Sequence, residues 1–212
     1  PQALIRPFGA AALVHEAGPQ MKDLVEQALE LQTLLTAQGW QFCFIGGVAI
    51  QRWSEPRLTK DMDITLLTGF GGEEKFIDLL LQHYESRIAE AREFALQSRI
   101  LLLKTVQGTG IDIALGALPF EQEAVSRALM LEYAPGIALR TCTAEDLLVM
   151  KAFASRPLDW NDVRGILVRQ GTRKLDWKYI HRQLQPLCEV KEAPEILTQL
   201  ENLRLEVAQS EP

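Results

Sequence analysis

The chain has 212 residues, 47% apolar and 24% charged, with 22 basic against 28 acidic side chains and a formal charge of −6. That length is enough to bury a core in one domain or one and a half. The acidic balance disfavours a passive nucleic-acid coat but leaves room for a local basic patch, and no apolar run approaches the roughly 20 residues needed to cross a bilayer.

In chain order, the opening PQALIRPFGAAALVHEAG has neither the charge layout nor the apolar stretch of a signal peptide, and 1–19 is read as an N-terminal extension. Residues 20–38 carry leucines at helical spacing and stop at Gly39, which suits a C-cap. FCFIGG (42–47) reads as a short strand ending in two glycines, with VAIQRWS as a short helix leaving that turn. After the EPRLT loop, Met62 to Leu67 is apolar and β-branched, which predicts a strand. EEKFIDLLLQHY reads as an amphipathic helix. RILLLKTV (99–106), a QGTG turn and IDIALG (111–116) read as an antiparallel hairpin. FEQEAVSRAL is expected to be a helix and GIALRTCT one more strand. From Thr143, three residues before Asp146, a capping signal begins a run of helices lasting almost to the end. The expected fold class is therefore α+β: a small mixed or antiparallel sheet with helices over 20–142, followed by an α-helical part over 143–212.

Two acids interrupt the strand at 61–67. Asp61 and Asp63 are two apart, so both carboxylates leave one face while Met62 and Ile64 leave the other. Asp112 repeats the anomaly between Ile111 and Ile113. If the two strands are neighbours, three carboxylates meet on one face. Like charges repel unless a cation lies among them, and clustered carboxylates without His or Cys are the hard oxygen ligands preferred by Mg²⁺ or Mn²⁺. Gly46–Gly47, where a strand turns into a helix, could present backbone N–H groups to a triphosphate. No GKS or GKT follows, so this is not a Walker A loop.

GGVAIQRWSEPRLTKDMDI resembles motif I of the polymerase-beta-like nucleotidyltransferases: a glycine pair, about a dozen residues, then DxD. Arg57, Thr59, Asp61 and Asp63, as RxTxDxD, resemble the AbiEii-type (AbiEii/AbiGii) toxin branch, whose members are usually paired with an antitoxin. EDLLVMKAFASRPLDWNDV is similar to that branch's later segment at Lys151, Ala154, Arg156, Asp159 and Asp162. The chain departs from the pattern at Gly47, often Ser in relatives, and at Pro157.

The resemblance implies transfer of a nucleoside monophosphate from an NTP to an acceptor, RNA such as tRNA or a protein, with Mg²⁺ or Mn²⁺. Asp61, Asp63 and Asp112 would hold the metal, with Asp112 also helping to deprotonate the acceptor. Gly46, Gly47, Arg57 and Thr59 would serve the nucleotide, and Lys151 would reach a phosphate. An aminoglycoside-type small-molecule acceptor and a non-catalytic nucleotide-binding module of the same fold are the rivals, and a purely helical interaction protein leaves the strand acids unexplained.

Asp159 reads as an N-cap and, with Asp162, as bracing for the helices; Trp53, Trp160 and Trp177 read as packing. Arg164, Arg169, Arg173, Lys174, Lys178 and Arg182 crowd a stretch whose one acid is Asp176, with Lys174, Lys178 and Arg182 every four residues. Such a face reads either as a solvated helix side or as a dock for the phosphate backbone of RNA such as tRNA, or for an acidic partner. Cys43, Cys142 and Cys188 lack CxxC spacing and the three histidines are scattered, so structural thiols in a cytoplasmic protein are expected rather than a disulfide framework or a zinc site.

Overall fold

The computed structural model describes residues 10–210. The chain contacts divide them into two compact units. One comprises 10–49 and 57–142 and contains the sheet; the other comprises 50–56 and 143–210 and is helical.

In the sheet unit, helix α1 spans Ala10–Ala37 and is followed by strand β1 (Phe42–Phe44). The expected N-terminal extension thus falls partly outside the described residues (1–9), and 10–19 already belong to α1. Helix α2 (Gly46–Trp53) starts at the glycine pair, and its last residues group with the helical unit. There follow β2 (Asp61–Leu67), α3 (Glu74–His83), β3 (Glu85–Ser86), α4 (Ala91–Ser98), β4 (Ile100–Lys104), β5 (Gly110–Gly116), α5 (Pro119–Arg127), β6 (Leu129–Ala134) and β7 (Ile137–Thr141).

The strands form one mixed sheet in the order β3-β4-β5-β2-β1-β7-β6. β2 pairs with β5 and β1 with β7 in parallel; the other pairs are antiparallel. The expected β4–β5 hairpin is present, with Leu102 opposite Asp112. Period-two alternation explains which face of the central strands is buried. Met62, Ile64, Ile111 and Ile113 are fully buried and belong to one core cluster with Leu24, Ala28, Leu31 and Leu35 of α1. At about 1.5–3 kcal/mol for each buried aliphatic side chain, this single cluster dominates the unit's stability. It also fixes the register, because a one-residue slip of β2 would put the aspartates into the core.

Three elements differ from the sequence expectation. The helix expected over FEQEAVSRAL ends at Arg127, and Leu129 opens the edge strand β6. β3 has only two residues, and the eight-residue α4 lies between left-handed residues at Glu90 and Arg99.

The helical unit holds α6 (Ala144–Ala154), α7 (Pro157–Gln170), α8 (Trp177–Lys191) and α9 (Glu195–Ser210). Thr143 caps α6 as expected: its Oγ1 accepts from the Asp146 N–H at 3.2 Å, and Asp146 Oδ2 accepts from the Thr143 N–H at 3.3 Å. Residues 50–56 join these helices for a visible reason. Gln170 Nε2 donates to the Trp53 carbonyl at 2.9 Å, and a Cβ at Gly165 would stand 2.0 Å from Ser54 Oγ, so that mid-helix glycine admits the segment. Trp53 is buried. Cys43, Cys142 and Cys188 are buried thiols, not joined in disulfides.

Candidate active site

The parallel register sets Asp63 directly beside Asp112 and Asp61 beside Gly110. Asp61, Asp63 and Asp112 therefore share the sheet face opposite the Met62–Ile64 core, and all three are half-buried. The parallel pairing sets on one sheet face residues that lie 51 positions apart in the sequence (61 against 112).

The glycine pair lies against them. Gly46 has φ +51°, and a Cβ there would stand 2.0 Å from Asp63 Oδ2. The backbone N–H of Gly47 donates to that same oxygen at 3.0 Å, while Ile45 N–H donates to the Asp63 carbonyl at 2.9 Å. Asp63 thus accepts an N–H from the first turn of α2, where the helix dipole favours negative charge. The second glycine has its own explanation: a Cβ at Gly47 would stand 2.2 Å from Thr59 Oγ1. Thr59 fills the space that a serine at 47 would use, and its hydroxyl donates to the Asp61 carbonyl at 3.2 Å. Arg57 is half-buried in the loop leading to β2.

Sequence reasoning missed one residue. Arg87, just after β3, donates through Nη2 to Asp112 Oδ1. Its backbone N–H is fixed on the Leu102 carbonyl at 3.1 Å. A Cβ on Gly110 would stand 2.1 Å from Asp61 Oδ1 and 3.1 Å from Arg87 Nη1, so the bare glycine gives room to both. A lone arginine between two short elements carries no sequence signal; only the fold shows its partner.

In kind, three hard carboxylates beside a helix start suit a divalent cation bound with phosphate oxygens. In the present arrangement Asp63 faces Gly47 and Asp112 faces Arg87. Among the described residues no three His, Cys, Asp or Glu side chains converge closely enough to hold an ion.

Lys151 belongs to the helical unit, where it is engaged by two carboxylates. Its Nζ is 3.2 Å from Asp159 Oδ1 and 2.8 Å from Asp162 Oδ2, with all three side chains almost fully buried. A phosphate contact for Lys151 would have to compete with both. Asp159 is not the N-cap expected from sequence. Arg156 takes that position in extended conformation, as a residue before proline should, Pro157 opens α7, and Asp159 Oδ2 accepts the Arg156 N–H at 3.2 Å. Burial pushes the Asp159 carboxyl up, but the hydrogen bonds and charges of Arg156 and Lys151 outweigh that and hold it below the usual range.

The basic stretch is less uniform than its spacing suggested. Lys174 precedes α8, so only Lys178 and Arg182 share that helix. Arg164 is held by both oxygens of Glu206 at 2.9 Å, and Arg182 stacks over Tyr179. Trp177 lies half-buried beneath Arg204, 4.1 Å from ring centroid to guanidinium carbon, and Trp160 is also half-buried. Among the described residues no helix is long and apolar enough to cross a membrane.

No protein-family model and no curated protein matches the chain. Among solved structures it is similar to an antigenic nucleotidyltransferase-like protein from Paracoccidioides brasiliensis, at 15% identity over 87% of this chain and 94% of that one, with a TM-score of 0.48. It is also similar to the antibiotic-resistance factor ANT(2'')-Ia, at 15% identity over 91% of this chain and 94% of that one, with a TM-score of 0.42.

Proposed function

We propose that the sheet unit is the core of a metal-dependent nucleotidyltransferase that moves a nucleoside monophosphate from an NTP to an acceptor hydroxyl. The observation that carries this reading is the in-register Asp63–Asp112 pair, with Asp61 on the same face, set against the Gly46–Gly47 start of α2.

Asp61, Asp63 and Asp112 would hold Mg²⁺ or Mn²⁺, which when bound supplies charge stabilisation to the phosphate oxygens. Gly46 and Gly47 let Asp63 and Thr59 close on the start of α2, and the positive end of that helix would favour a triphosphate brought there with the metal. Thr59 and Arg57 flank that approach. The acceptor oxygen forms a bond to the α-phosphorus, the bond from that phosphorus to the bridging oxygen breaks, and pyrophosphate leaves. The acceptor proton passes to a carboxylate of the trio, with Asp112 in that role. In this reading Lys151 organises the helical unit through Asp159 and Asp162. RNA is the acceptor proposed first, with Arg173, Lys174 and Lys178 as exposed contacts, and a toxin paired with an antitoxin is its biological form. The protein would work in the cytoplasm.

The test is incubation with each α-labelled NTP and Mg²⁺, with total RNA, lysate protein or an aminoglycoside as separate acceptor arms. Label is expected in the RNA arm with wild type and at least about a hundredfold less with Asp61→Asn, as for loss of a group acting in the transition state. Label in the aminoglycoside arm alone reassigns the acceptor, and equal labelling by wild type and Asp61→Asn removes the proposed site.

A further inference from the structure

Three carboxylates on one sheet face need a compensating cation even when no ion is bound. Arg87 provides it. Its guanidinium donates to Asp112, and its Nη1 lies toward the space above Gly110, where Asp61 also rests. Both members of the pair are open to solvent, Arg87 with 30% and Asp112 with 37% of the side chain exposed. The backbone of Arg87 is pinned to β4, so the side chain can swing away without moving a strand. An ion pair open to water is weak and exchangeable, and Arg is a durable charge that cannot leave by losing a proton.

We propose that Arg87 is a built-in counter-ion that occupies Asp112 in the resting protein and is displaced when a divalent cation binds the aspartate trio. The arginine then competes with the metal, lowering its affinity until metal and nucleotide arrive together. This rests on the preceding reading of the trio as a metal site.

Binding of Mn²⁺ alone, without nucleotide, tests it through the electron paramagnetic resonance signal of the free ion. Wild type is expected to bind Mn²⁺, Asp61→Asn to lose that binding, and Arg87→Gln to bind roughly fivefold tighter, the scale of releasing a solvent-exposed ion pair. Equal or weaker binding by Arg87→Gln, with wild type still binding and Asp61→Asn not, overturns the counter-ion role and leaves the metal site standing. Absence of binding in wild type, or binding unaffected by Asp61→Asn, removes the metal site and the counter-ion role together. A second measurement uses the unmodified protein, so it does not depend on how the variant folds. Phenylglyoxal modification of Arg87, followed by peptide mass spectrometry, should quicken when Mn²⁺ is added. An unchanged or slower rate overturns the proposal.

Discussion

The chain answers the same electrostatic problem twice, once in each unit. In the sheet unit, Asp61, Asp63 and Asp112 share a half-open face, and Asp112 is paired with Arg87, itself accessible to water. In the helical unit, Asp159 and Asp162 are 1% and 4% exposed and enclose the almost buried Lys151. Coulomb attraction is strong in the buried cluster, but so is the cost of withdrawing those charges from water, and neither can leave without stranding the other. In the open cluster both terms are small, so a partner can be exchanged. The buried triad is accordingly a clamp between α6 and α7, and the open one is suited to a transient ligand.

The largest expected effect breaks the clamp. Lys151→Met keeps the side-chain length but leaves Asp159 and Asp162 buried without its ammonium. Removing one partner of a buried pair costs about 3–5 kcal/mol; Arg156 still bonds Asp159 and moderates the loss toward the lower figure. Urea unfolding measures it, and a loss under about 1 kcal/mol would put Lys151 among surface-type pairs. Next comes Gly46→Ala. A left-handed residue with a Cβ costs about 1–2 kcal/mol, and this Cβ would also displace Asp63 from Gly47. Stability and any labelling activity should fall together, whereas Gly39→Ala, also left-handed but with open space around its Cβ, should cost only the conformational part.

Acid should reveal the clamp at smaller scale. The Asp159 carboxyl is held below its ordinary range, so between its folded and unfolded values the unfolded chain binds more protons. Its contribution is complete above the unfolded value of about 4 and is lost as pH falls through the folded one. Unfolding midpoints between about pH 5 and 2.5 should show that slope, and Lys151→Met should flatten it.

Most of the sheet was legible because its central strands obey period two and bury one clean face; Met62, Ile64, Ile111 and Ile113 announce β2 and β5, and the aspartates between them mark the candidate site. β6 was not legible, since Leu129 and Met130 are exposed and give no apolar alternation, so the preceding helix seemed to run on in the sequence. β3 and α4 are too short for periodicity. Gly110 read as a turn residue, but it opens β5, and its missing side chain is what lets Asp61 and Arg87 lie close. Arg87 itself was invisible, because its partner lies 25 positions away across β4. Local propensity writes strands and caps into a sequence, whereas a side chain's partner across a sheet depends on the fold.

The smallest expected effect makes the sharpest distinction between the two clusters. Arg87→Gln should change stability by no more than about 1 kcal/mol without metal, as for an exposed pair, and the sign should be destabilising because Asp112 then lacks its ion-pair partner. Added Mg²⁺ should then raise the melting temperature of Arg87→Gln more than that of wild type, since a ligand of the folded state stabilises by RT ln(1 + [L]/Kd) and the variant has the smaller Kd. Lys151→Met should gain no more from Mg²⁺ than wild type, because its two aspartates are shut away from solvent. A Mg²⁺ response larger in Arg87→Gln than in wild type or Lys151→Met separates the exchangeable cluster from the permanent one by measurement; equal responses in all three proteins would show that Arg87 does not hold the metal off.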